Sequence, residues 1–62
     1  MNTEQFLGLN KKEAQNLAEL NNLIFRLIRI DDRDLFSYPK DQREDRVCIE
    51  IEKGEVIKVI FQ

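Results

Sequence analysis

Arg46–Phe61, RVCIEIEKGEVIKVIF, decides the fold. From Arg46 to Glu52 the residues alternate: Val47, Ile49 and Ile51 point one way, and Cys48, Glu50 and Glu52 the other. A period of two predicts a half-buried strand with one wet face. Lys53-Gly54 follows, and glycine's tolerance of positive φ suits a tight hairpin turn there. Glu55 to Phe61 then returns as a second strand. Ile57, Val59 and Phe61 fall on one face, and Val56, Lys58 and Ile60 on the other. Outward-facing Val56 and Ile60 invite pairing with a second copy along an edge strand, so the chain is expected as a monomer or a homodimer.

Upstream of the hairpin lies Asp31 to Arg46, a polar, highly charged stretch that carries the only proline. A loop this long in so short a chain is more often functional than filler. Before it, Leu23–Ile30 (LIFRLIRI) is β-branched and aromatic, which predicts a strand. Ile24, Ile28 and Ile30 share one face with Arg26; Phe25 and Leu27 share the other with Arg29. Two largely apolar faces predict cover on both sides over part of the strand. The arginines then bury their stems or lie near the edge. The loop is long enough for a crossover, so this strand and the next can run parallel.

Earlier still, Asn10 has the chemistry of a helix cap, with Glu13 three residues on as in a capping box. A helix is expected from Lys11 to about Asn22, with Ala14, Leu17, Ala18 and Asn21 on one face and Leu20 beside it. Residues 1–9 are expected as a leader that docks Phe6, Leu7 and Leu9 on the core. They lack the charged start and apolar run of a signal peptide. The 62 residues amount to a single domain, 1–62. The expected class is α+β: one helix packed on a small mixed sheet of about three strands, with a long exposed loop between strands one and two.

Composition narrows the function. Net charge is −2. The basic residues Arg26, Arg29, Arg33, Lys40, Arg43 and Arg46 are interleaved with acidic ones, which argues against nucleic acid as partner. Histidine is absent, which removes most zinc sites and the usual Ser–His and Cys–His nucleophile pairs. No glycine-rich phosphate loop occurs. The expectation is a protein that is not an enzyme and needs no metal or cofactor. The apolar runs are too short to span a bilayer. One cysteine, Cys48, allows no internal disulfide, and so small a domain without disulfides points to the reducing cytoplasm. A protein partner for the long charged loop is the expectation taken forward. Exposed loop aromatics make good interface anchors, so Phe36 and Tyr38 are candidates, although they could equally tuck back over the sheet.

The order of elements, together with Glu13-Ala14, Asp45-Arg46-Val47 and the closing hairpin at Lys53-Gly54, resembles the potato inhibitor I family of serine-protease inhibitors and its short bacterial elastase-inhibitor-like relatives. The resemblance runs from about Phe6 to Phe61. It implies a reactive loop offered to a protease as a slowly cut, tightly held substrate. The target-binding residues would be Phe36, Tyr38, Pro39, Lys40, Asp41 and Gln42. Arg43 and Arg46 would support the loop, with Arg46 reaching back to an acidic residue just after the presented bond. Counting back from Asp45-Arg46 makes the presented bond Lys40-Asp41; counting from the other side of a loop about two residues longer makes it Tyr38-Pro39. Where the family often carries a second supporting arginine, two residues after Arg46, this chain has Cys48. The family's Gly-ended C-terminal segment is replaced by Ile60-Phe61-Gln62. The alternative on the same fold is an interaction module of phage or mobile-element type that blocks a host enzyme without inhibiting a protease.

Overall fold

The computed structural model describes residues 3–62. Met1 and Asn2, the start of the expected leader, lie outside the described residues. A short 3-10 turn, Thr3–Gln5, precedes helix α1, Lys11–Leu20. Four strands follow: β1 Ile24–Ile30, β2 Arg33–Asp34, β3 Arg46–Glu52 and β4 Glu55–Phe61. They form one sheet in the order β2-β1-β3-β4. The β1–β3 pair is parallel; β1–β2 and β3–β4 are antiparallel. The architecture is thus one helix on a small mixed sheet, with a fourth strand beyond the expected three.

That extra strand comes from the start of the expected loop. Asp31 adopts a left-handed φ of 53°, which aspartate tolerates better than most residues. The chain turns back through Asp31-Asp32 and pairs Arg33 with Ile30 and Asp34 with Arg29. The irregular connection shortens to residues 35–45.

Helix α1 is set at both ends by asparagine. Asn10 Oδ1 accepts from Glu13 N–H at 2.8 Å, and Glu13 Oε1 accepts from Asn10 N–H at 3.0 Å, completing the capping box. The helix ends two residues earlier than its periodicity suggested. Asn22 takes a φ of 57°; its N–H reaches Glu19 O at 3.1 Å and Leu23 N–H reaches Ala18 O at 2.8 Å. Those two bonds are the Schellman arrangement, with asparagine in the left-handed position usually held by glycine. Ala14 and Ala18 are buried against the sheet and Leu17 packs beside them. Asn21 caps instead of packing, and Leu20 projects away, 81% exposed.

Two register shifts rearrange the expected faces. In β1 the shift falls between Leu27 and Arg29, so Ile28 has no counterpart on β3. Ile30 thereby joins Phe25 and Leu27 on the helix side, and Arg29 turns to the other side with Ile28. In β4 the shift leaves Ile57 unmatched, since Glu50 pairs with Lys58 and Ile51 with Val56. Val56 is therefore buried in the core with Val59 and Phe61 beside it, while Ile57 is 46% exposed. An extra residue reverses the face of everything beyond it, which is how both strands escape a strict period of two. Val56 is thus not an outward edge residue. Its backbone is also occupied: Gly8 N–H donates to Val56 O at 3.0 Å and Val56 N–H to Leu9 O at 2.8 Å.

The core lies between α1 and the sheet. Phe6 is fully buried there, edge-on to Phe61 with ring centroids 6.3 Å apart. Val47, Ile49 and Ile51 supply the β3 contribution. The β3–β4 turn has positive φ at both Lys53 (53°) and Gly54 (80°), the signature of a type I′ hairpin. It is bound to the first turn, because Asp31 Oδ1 accepts from Lys53 N–H at 2.8 Å.

Candidate functional site

The second face of the sheet is covered by the loop. Expected as wet, this face carries Cys48, which is fully buried, and Glu50, whose side chain is only 13% exposed. The loop is anchored at its start by the bulge in β1: Ile28 O accepts from both Leu35 N–H (2.8 Å) and Phe36 N–H (3.2 Å). From there the chain crosses the sheet. The Phe36 ring lies 5.1 Å from the Arg26 guanidinium carbon, yet Phe36 stays 58% exposed. Stacking of this kind is worth about 0.5–1 kcal/mol at an exposed site. Arg26 Nε is buried there without a hydrogen-bond partner. A shallow cleft between loop and sheet is lined by Ile28, Arg29, Phe36, Tyr38 and Glu50.

Tyr38 folds back. Its hydroxyl donates to Glu50 Oε2, and Lys58 Nζ sits 5.5 Å from its ring centroid. Glu50 also accepts from Arg29 Nε at 3.0 Å and lies 3.7 Å from Lys58 Nζ. The hydrogen bond from Tyr38, then that from Arg29, holds the Glu50 carboxyl below its usual pKa. Burial, then the bond to Glu50, pushes the Tyr38 hydroxyl well above its ordinary value. Burial likewise raises the Cys48 thiol, which makes it a small buried strand residue and not a reactive thiolate.

Beyond Tyr38 the chain leaves the sheet. Pro39 is half-buried, and Lys40, Asp41 and Gln42 are exposed, with a bend at Lys40-Asp41. Two strand-end residues hold this segment from beneath. Arg46 Nη2 donates to Asp41 O at 3.0 Å and to Asp41 Oδ1 at 3.1 Å. That hydrogen bond lowers the Asp41 pKa. Gln62 Nε2 donates to Pro39 O at 2.8 Å. Arg43 does not reach the bend; its guanidinium forks onto Asp45 with two bonds of 2.8 Å, lowering the Asp45 pKa.

The expected site residues therefore divide into two groups. Phe36 and Tyr38 belong to the half of the loop that covers the sheet. Pro39, Lys40, Asp41 and Gln42 form the projecting half, with Arg46 under it. Sequence reasoning missed Glu50, Arg29 and Gln62. For Glu50 and Arg29 a signal existed: opposite charges on neighbouring strands. For Gln62 there was none. Among the described residues no helix is long and apolar enough to cross a membrane. No family model, curated protein or solved structure matches the chain.

Proposed function

We propose that the chain is a small protein inhibitor that presents the loop around Lys40-Asp41 to a target enzyme, most concretely a serine protease with an acidic specificity pocket. The observation that carries this reading is the double hydrogen bond from Arg46 to Asp41. It fixes the residue just after an exposed lysine by an arginine at the head of the following strand, the support that the likeness to the potato inhibitor I family leads one to look for. A loop held in shape before binding loses little entropy when it docks, so it binds tightly and is cut slowly. Of the two registers, Lys40-Asp41 is favoured, because Tyr38 is tied to Glu50 and faces the sheet. On this reading the partner is a protein, the chain is not itself an enzyme, and a reducing, cytoplasmic setting suits its free Cys48.

Titration against trypsin-like, chymotrypsin-like and subtilisin-like proteases tests it. The expected result is tight inhibition of a trypsin-like enzyme, lost in Lys40→Ala. Simple clipping of the loop without inhibition overturns it. The exposed, backbone-anchored Phe36 favours a second reading, an interaction module that blocks another host enzyme through the sheet-covering half of the loop. Affinity capture that Phe36→Ala abolishes and Lys40→Ala leaves intact would mark that case.

A further inference from the structure

Both flanks of Lys40 are held from one place. Gln62 follows β4 directly and pairs with the first residue of β3: Gln62 N–H donates to Arg46 O at 3.1 Å, and Arg46 Nε donates to Gln62 O at 2.6 Å. This pairing aims the Gln62 side chain at the loop, where Nε2 meets Pro39 O. The same Arg46 guanidinium continues to Asp41. One strand-end residue thus holds the residue before Lys40, its neighbour holds the residue after it, and the two are bonded to each other.

We infer that Gln62 is a positioning residue of the loop, forming with Arg46 a two-sided clamp on the backbone around Lys40. The inference rests on the loop reading above and adds a component to it. Its physical basis is the near side of the loop, where Cys48 is neutral and fully buried and supplies no charged donor. Pro39 offers no side-chain hydroxyl for an arginine to grip and no N–H of its own. What remains on the near side is a backbone carbonyl, and a neutral amide donor suits it. Unlike a guanidinium, that amide carries no charge, so its bond to the carbonyl is little affected by salt.

The test is backbone ¹⁵N relaxation of the wild type, Gln62→Ala and Gln62→Glu, followed by trypsin titration of all three. The glutamate variant keeps the volume of Gln62 and removes the donor, so it separates hydrogen bonding from space filling. Order parameters at Lys40 and Asp41 should fall from about 0.85 to below about 0.6 in both variants, with β3 unchanged. A loop that stays rigid in both variants, or loosens in Gln62→Ala alone, overturns the clamp. Roughly ten-fold weaker inhibition by both variants supports its part in presentation. Undiminished inhibition by a loosened loop overturns that part. A wild type that inhibits nothing, with a loop that still loosens in both variants, supports the clamp and removes the protease reading instead.

Discussion

The Tyr38 hydroxyl donates to Glu50 Oε2 and ties the first half of the loop to the middle of β3. Glu50 is in turn held by Arg29 from β1 and approached by Lys58 from β4. One carboxylate therefore joins three strands and the loop. A charge this poorly hydrated needs such partners, because burying it alone would cost far more than any one of them returns.

Removing the hydroxyl tests that link. Tyr38→Phe keeps the ring under Lys58 and leaves Glu50 with its two cations. Stability should fall by about 1 kcal/mol, the usual net worth of a partly buried hydrogen bond. Urea unfolding measures it through a lower midpoint at unchanged slope. An unchanged midpoint would mean that water replaces the hydroxyl at no cost.

The same cluster predicts the pH profile. The folded-state pKa of Glu50 is depressed, so its contribution is complete above the unfolded value near 4.5 and is lost as pH falls through the folded value. Asp41 and Asp45 act in the same direction. Tyr38 acts oppositely: its raised pKa gives stability that is complete below about 10 and declines as pH rises beyond it. Stability measured across pH should thus be flat near neutrality and fall at both ends. Glu50→Gln should soften the acid fall, and Tyr38→Phe the alkaline one.

The bulge in β4 predicts an inverted pair of alanine effects. Val56 is 3% exposed and Ile57 is 46% exposed. Val56→Ala should cost about 2 kcal/mol from lost burial and the cavity left behind. Ile57→Ala, although it removes the larger side chain, should cost about 0.5 kcal/mol or less. Thermal unfolding of the two variants decides between this register and strict alternation, which gives the reverse order.

Local rules made the frame legible. The Asn10–Glu13 box, the hairpin at Lys53-Gly54 and the strand pattern of β3 all follow from residue chemistry that acts over a few positions, while loop length allowed the parallel crossover without requiring it. What escaped depends on tertiary partners. Alternation assigned Val56 and Ile30 to the wrong faces because a bulge inserts one residue without any glycine or proline to announce it. The charged Asp31–Asp34 segment read as loop, since two residues of edge strand carry no periodicity. Cys48 and Glu50 read as solvent-facing because β3 alone cannot reveal that a distant loop lies over it. Gln62 acquires its role only from its distance to Pro39, and no pattern in the sequence encodes that.

Arg46→Lys is the sharpest test of how the bend is supported. Arg46 serves Asp41 with Nη2 and Gln62 O with Nε, two donors fixed relative to each other in one rigid plane. Its side chain is only 11% exposed, so water cannot readily stand in. Lysine keeps the positive charge but concentrates its donors on a single nitrogen, which cannot span both sites. If long-range attraction to Asp41 were what mattered, lysine would suffice. If the fork matters, Arg46→Lys should behave like Arg46→Ala. The readout is the rate at which trypsin cuts after Lys40, followed by mass spectrometry, with a rise of roughly ten-fold expected in both variants. A lysine variant cut as slowly as the wild type would show that charge, and not the geometry of the fork, holds the loop.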